Sequence, residues 1–184
     1  MGAATIGFGT SNVKSWANSI TGLPEQEVTL PVLFTSHGNP MDIHLPHKAN
    51  PFLTYLFDLG VDLRKKYPKE IKAILVVSAH WCTKGTYVNV SPWPETIYDF
   101  YGFPPEYYTI KYMAPGAPEF AKNVAEAIPA IRTTTEWGFD HGNWPMLRHL
   151  FPDANVPVFQ MSIDYYQSPQ YHYELAVQLK KLRT

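Results

Sequence analysis

The stretch Ile71–Trp81, reading IKAILVVSAHW, constrains this chain more than any other. Ile74 to Val77 form an unbroken apolar run with β-branched members. That is the pattern of a strand covered on both faces, and it places the segment at the centre of a parallel sheet. Ser78 and Ala79 then shrink the side chains, so His80 emerges at the strand's carboxyl end, where open α/β sheets collect ligands and reacting groups. Leu30–Ser36 (LPVLFTS) repeats the design and delivers His37 into a Gly-Asn-Pro turn. Two neighbouring strands are therefore expected to aim imidazoles at one rim.

The segments around these strands fill in an alternating pattern. Asn50 caps and Pro51 opens a helix in which Phe52, Leu53, Leu56, Leu59 and Leu63 keep a helical period until Lys65-Lys66-Tyr67-Pro68 ends it. Joining the two strands, it forms a right-handed crossover. Thr86–Val90 alternates like a half-exposed strand, and a long loop rich in Tyr, Phe and Pro runs on to Gly116. A helix over Pro118–Ile128 precedes a strand over Ile131–Thr135. Trp137–Trp144 (WGFDHGNW) is a tight, Gly-flanked turn that presents His141 just before a short helix. A strand over Val156–Ile163 and a helix over Pro169–Leu182, carrying His172, follow. This predicts an α/β fold, a single three-layer domain over residues 30–184 whose mostly parallel central sheet is flanked by helices. Residues 1–29 read as an N-terminal appendage, with Trp16, Ile20 and Leu23 on one face of a short helix.

Composition narrows the function. With 184 residues the chain can bury one core. Its net charge of -1 and pI near 6.6 provide no basic field, which argues against nucleic acid as a partner. Aromatic residues make up 15% of the chain, and their clustering between Trp93 and Tyr112 suggests a lined pocket mouth. The single cysteine, Cys82, allows no intramolecular disulfide and is read as buried beside Trp81. No basic leader and no apolar run of membrane-spanning length is present, so the expectation is a soluble, cytoplasmic protein without a membrane partner. A homo-oligomer is compatible with these features.

His37 and His80 on neighbouring strand ends can share a metal ion, since adjacent strands lie about 4.8 Å apart and imidazole nitrogens sit roughly 2 Å from a bound ion. Taken singly, each is as readily a hydrogen-bonded polar residue. His141 in its turn suits acid–base work, because an unperturbed imidazole titrates near neutrality. His172 sits between Tyr171 and Tyr173, where packing competes with substrate contact, and His44, His47 and His149 read as ordinary polar residues. A zinc hydrolase built on His37, His80 and Asp140 is a weaker reading, because no His-Glu-x-x-His motif is present.

Six ordered blocks carry a resemblance: HGNPM (His37–Met41), VSAHW (Val77–Trp81), YDFYGFP (Tyr98–Pro104), YMAPGAPE (Tyr112–Glu119), WGFDHGNW and SIDYYQSPQYHYEL (Ser162–Leu175). Together they resemble the DOPA-dioxygenase branch of the class III extradiol ring-cleavage dioxygenases, the LigB superfamily, from about Leu30 to Thr184. Asn39 stands where that family commonly has Ser. The resemblance implies a non-haem Fe(II), or Zn(II) as in some isolated members, with His37 and His80 as two ligands. It also implies His141 as the catalytic pocket histidine, Tyr98 and His172 as substrate contacts, and a small aromatic diol and O2 as reactants. Family members continue past the last helix with another strand, a Ser-Gly-Asn block carrying a further histidine, and a late histidine ligand. None of these is found here, so the expectation is a fragment, or a short chain with an incomplete site that turns over poorly or only binds a metal or an aromatic ligand. Asp140 and Asp164 are the carboxylates considered as a substitute third ligand.

Overall fold

The computed structural model describes residues 27–184; residues 1–26, with the helix expected around Trp16, lie outside them. Four strands form one sheet: β1 (Ile74–Thr83), β2 (Thr86–Asn89), β3 (Ile131–Thr134) and β4 (Val158–Asp164), in the spatial order β1-β4-β2-β3. β1 runs parallel to β4 and β2 parallel to β3, while β2 and β4 are antiparallel. Four α-helices accompany them: α1 (Pro51–Lys66), α2 (Pro118–Ala127), α3 (Trp144–Leu150) and α4 (Pro169–Leu179), the last continued by a 3-10 turn over Lys180–Arg183. Two of these helices, α1 and α4, start on a side-chain cap. Asn50 Oδ1 accepts the Leu53 N–H at 2.9 Å and Ser168 Oγ accepts that of Tyr171 at 3.3 Å, each just before a proline in the first turn.

Alternation along the strands sorts the core into two clusters, one on each face of the sheet. Val76 and Val158 face Leu63 of α1 and Leu147 and Leu150 of α3. Phe159 and Met161 face Ala121 and Val124 of α2 and Leu175 of α4. The result is the expected three-layer α/β arrangement. α1 and α3 meet closely at Gly60, where a Cβ would stand 1.8 Å from the Leu150 carbonyl oxygen. No helix among the described residues is long and apolar enough to cross a membrane.

Three expectations need correction. Leu30–Ser36 forms no strand: it pairs with none of the four strands, and Phe34 is fully exposed with Val32 largely so. Its backbone instead meets the C-terminal turn, Leu30 N–H donating to the Arg183 carbonyl at 2.8 Å. An apolar run encourages extended backbone, but a strand also needs a free sheet edge in register with it. β1 is therefore an edge strand and not the central one, paired only with β4, and Val77 is 51% exposed. The crossover from a first strand through α1 falls with it. Cys82 is exposed, because Trp81 takes the inward position and alternation sends its neighbour outward.

Candidate metal centre

His80 does not end its strand, since β1 pairs on with β4 through Thr83, and it owes its direction to a fault in the β1–β4 ladder. Between Val77 and Cys82 the first strand advances five residues while its partner moves only from Met161 to Ile163. The extra residues bulge, and bulges re-aim side chains. Ser78 braces the bulge: its Oγ accepts the His80 N–H at 3.1 Å and donates to Asp140 Oδ1 at 2.6 Å.

His37 arrives on a turn and not on a strand end. Gly38 follows it with φ +79°, and a Cβ there would meet Phe52 Cε1 at 2.6 Å, so glycine is required on both counts. Asn39 Oδ1 then accepts the Met41 N–H at 3.0 Å and opens a 3-10 turn over Pro40–His44.

His141 is held by the buried carboxylate before it. Asp140 accepts from Ser78 Oγ, from the Gly142 N–H at 3.0 Å, from Trp137 Nε1 at 3.0 Å and from Gln160 Nε2. Gln160 Oε1 in turn accepts from Asn143 Nδ2 at 2.6 Å. Both oxygens of this fully buried carboxyl group are thus met by donors, as such burial requires. Gly142 lets this turn press on the bulge, for a Cβ there would lie 2.5 Å from Ser78 Oγ and 2.7 Å from His80 Cδ2.

These three supports bring three imidazoles together. His37 Nε2 and His80 Nε2 are 3.3 Å apart, and the His141 ring centroid lies 3.7 Å from that of His80 and 5.1 Å from that of His37. One donor atom from each falls within 4.8 Å of the others, a spread suited to a single metal ion, with His37 and His80 half-buried and His141 buried. Burial pushes the His37 imidazole below its ordinary pKa, helped by His141 and His80, against a backbone hydrogen bond at Gly38 and the Asp99 charge. A neutral ring is the form that binds a metal. Asp99 lies behind the cluster, its Oδ1 3.0 Å from His141 Nδ1 and its Oδ2 3.4 Å from His80 Nδ1. Oδ1 also accepts the His141 backbone N–H at 2.8 Å. Burial alone would raise this carboxyl, but the side-chain and backbone donors of His141 outweigh it and hold Asp99 below the usual carboxylate range.

The other residues singled out from the sequence stand outside the cluster. The Tyr98 hydroxyl donates to the Ile110 carbonyl at 2.7 Å, and its ring reaches His141 only through Phe100, 6.1 Å from Tyr98 and 5.7 Å from His141 by centroid. His172 Nε2 sits 3.1 Å from the Asp164 carbonyl oxygen at the end of β4. Asp140 cannot serve as a third ligand, because both its oxygens are committed to the turn. Asp164 Oδ1 caps the following turn through the Tyr166 N–H. Asp99 is the group that sequence reasoning misses. It lies inside the YDFYGFP block, but nothing local to it signals that a loop will fold it behind two histidines.

A family model described as the catalytic LigB subunit of aromatic ring-opening dioxygenase matches residues 31–184. The chain belongs to this family. Among its relatives, a 4,5-DOPA dioxygenase extradiol from Escherichia coli (strain K12) is 40% identical over 157 residues, 84% of this chain and 55% of the relative. One from Beta vulgaris is 39% identical over 158 residues, 82% of this chain and 56% of the relative. A solved structure of an uncharacterized protein from Escherichia coli K12 superposes with a TM-score of 0.57 at 36% identity, covering 73% of this chain and 49% of that one. The chain thus spans about half the length of the curated relatives it matches. The matched span carries the three histidines that meet here, His37, His80 and His141.

Proposed function

We propose that this chain carries the metal-binding half of an extradiol ring-opening dioxygenase, in which His37 and His80 ligate a non-haem Fe(II) or Zn(II) and a DOPA-like catechol is cleaved beside its diol with O2. The observation that carries the reading is the convergence of three imidazole donors within 4.8 Å beside the bulge in β1. The donor set fits: three imidazoles, which bind in their neutral form, suit Fe(II) or Zn(II) and leave positions open. When bound, the metal supplies sites at which both catechol oxygens and O2 can meet. His141, buried and with its ring tilted against that of His80, handles protons of the diol as general base and acid. Tyr98 contributes the apolar side of its ring to the pocket, since its hydroxyl is already donated to Ile110, and His172 contacts the substrate from the rim near Asp164.

A second reading makes His141 the third ligand, and the tight donor spread favours it. Anaerobic Fe(II) titration of the wild type and of His141→Ala, followed by oxygen uptake with DOPA, separates the two. The acid–base role predicts that His141→Ala keeps Fe(II) affinity and loses turnover; a ligand role predicts that both fall. Wild type that binds Fe(II) but consumes no oxygen with any catechol would identify the chain as a metal- or aromatic-binding module.

A further inference from the structure

We infer, on the metal reading proposed above, that Gln160 is a positioning residue: acting through Asp140, it holds the His80 bulge and the His141 turn at one fixed spacing. Its side chain bonds to Asp140 and Asn143 and to neither histidine. Regular strand pairing leaves His80 unplaced, because the β1–β4 register runs to Val77 opposite Met161, skips Ser78 to Trp81 and resumes at Cys82 opposite Ile163. Gln160 stands opposite Val76, inside the regular ladder just before that gap. It is fully buried and two residues on from Val158, so it lies on the sheet face that α3 covers.

From this anchored point the bonds run to both histidine-bearing segments. Gln160 Nε2 donates to Asp140 Oδ2, and Asp140 Oδ1 accepts both the Ser78 hydroxyl at 2.6 Å and the Gly142 N–H at 3.0 Å. Ser78 Oγ accepts the His80 N–H at 3.1 Å, which carries the path into the bulge. On its other side Gln160 Oε1 accepts from Asn143 Nδ2 at 2.6 Å, which ties the same amide to the residue before α3. One buried amide therefore fixes Asp140 against β4, and Asp140 fixes the segments on which both rings sit. Such a brace is stiff, because breaking any of its bonds strands a polar group away from water. Trp137, whose Nε1 also donates to Asp140 Oδ2 at 3.0 Å, stacks on Trp81 with centroids 5.9 Å apart and 5° between the planes. The turn and the bulge are thus pressed together at a second point, one residue beyond His80.

The test uses the full chain, with amide exchange on the metal-free protein and Co(II) as the binding probe. Gln160→Met keeps an unbranched side chain of similar size and removes both side-chain bonds. Its His80 and Gly142 amides should speed up at least roughly tenfold more than the Ile128 amide at the end of α2, which is bonded to Val124. Co(II) affinity should fall roughly 10 to 100-fold. Gly60→Ala, which wedges α1 from the far end of α3, controls for stability alone and should keep Co(II) affinity. Affinity kept within about twofold in Gln160→Met, or equal acceleration of all three amides, overturns the role. So does an equal loss of affinity in Gly60→Ala, because the loss would then follow stability and not the brace. If Gln160→Met does not fold, Asn143→Ala, which removes only the donor to Gln160 Oε1, should show the same pattern on a smaller scale, and its absence overturns the role equally. Wild type that takes up no Co(II) overturns the metal centre itself, and with it the purpose assigned to Gln160.

Discussion

Acidification from pH 7 to pH 5 is expected to destabilise the fold by about 2 kcal/mol through one side chain, His149. Its Nδ1 lies 3.0 Å from His47 Nδ1, its Nε2 has no hydrogen-bond partner, and the residue is 2% exposed. Burial first, then the charges of His47 and Arg148, lower its pKa from 6.5 to about 4, with Asp42 opposing. The unfolded chain therefore takes up a proton as pH falls through 6.5, while the folded chain refuses it until about pH 4. The stabilisation is fully present above the unfolded value and is lost as pH falls toward the folded one. The whole span of roughly 2.5 units is worth about 3 kcal/mol, of which about 2 is spent by pH 5. His47, lowered by its own burial and by Arg148, acts in the same direction. Urea unfolding at pH 7 and pH 5, for the wild type and for His149→Leu, isolates the effect, because carboxylates and the other histidines titrate in both. The variant should lose about 2 kcal/mol less than the wild type over this interval. Equal losses in the two proteins would refute the reasoning.

Gly142→Ala should push His80 off its bulge, since the new Cβ would stand 2.7 Å from His80 Cδ2, and a Co(II) titration should show at least a roughly tenfold loss of affinity. Gly60→Ala should cost about 1–3 kcal/mol by wedging α1 from α3, read from the urea midpoint, with Co(II) affinity kept. Ser78→Ala removes one donor from the buried Asp140 carboxylate and should cost about 1–3 kcal/mol, with a loosened His141 turn visible as faster amide exchange at Gly142 and Asn143. For Tyr98→Phe the lost bond to Ile110 should cost about 1 kcal/mol in stability while the KM for a catechol stays within roughly twofold; a large rise in KM would show that the hydroxyl binds substrate.

The sequence by itself determined whatever is decided within a turn or two of chain. The Asn50-Pro51 and Ser168-Pro169 helix starts, the strand that carries His80, the glycine turn at His37 and the Asp-His turn at 140–141 were legible because capping, backbone freedom and side-chain period are local. The three-layer α/β class followed from their alternation. The meeting of His37 and His80 was expected from two neighbouring strand ends, a premise that failed at Leu30–Ser36, so the family-like blocks were the sounder guide: His37, His80 and His141 are separated by some 40 to 60 residues and their approach depends on every element between them. Tertiary structure alone decided that Leu30–Ser36 finds no partner strand, that β1 lies at an edge, and that Cys82 faces outward, for a ladder needs two chains in register and an apolar run describes only one. It alone decided the bulge that aims His80, which exists as a mismatch between β1 and β4 and so is written in neither strand. Asp99 and the pairing of His47 with His149 belong to the same class: a carboxylate or an imidazole acquires its role from the charge and burial of what packs on it, and that is settled only when distant segments close around it.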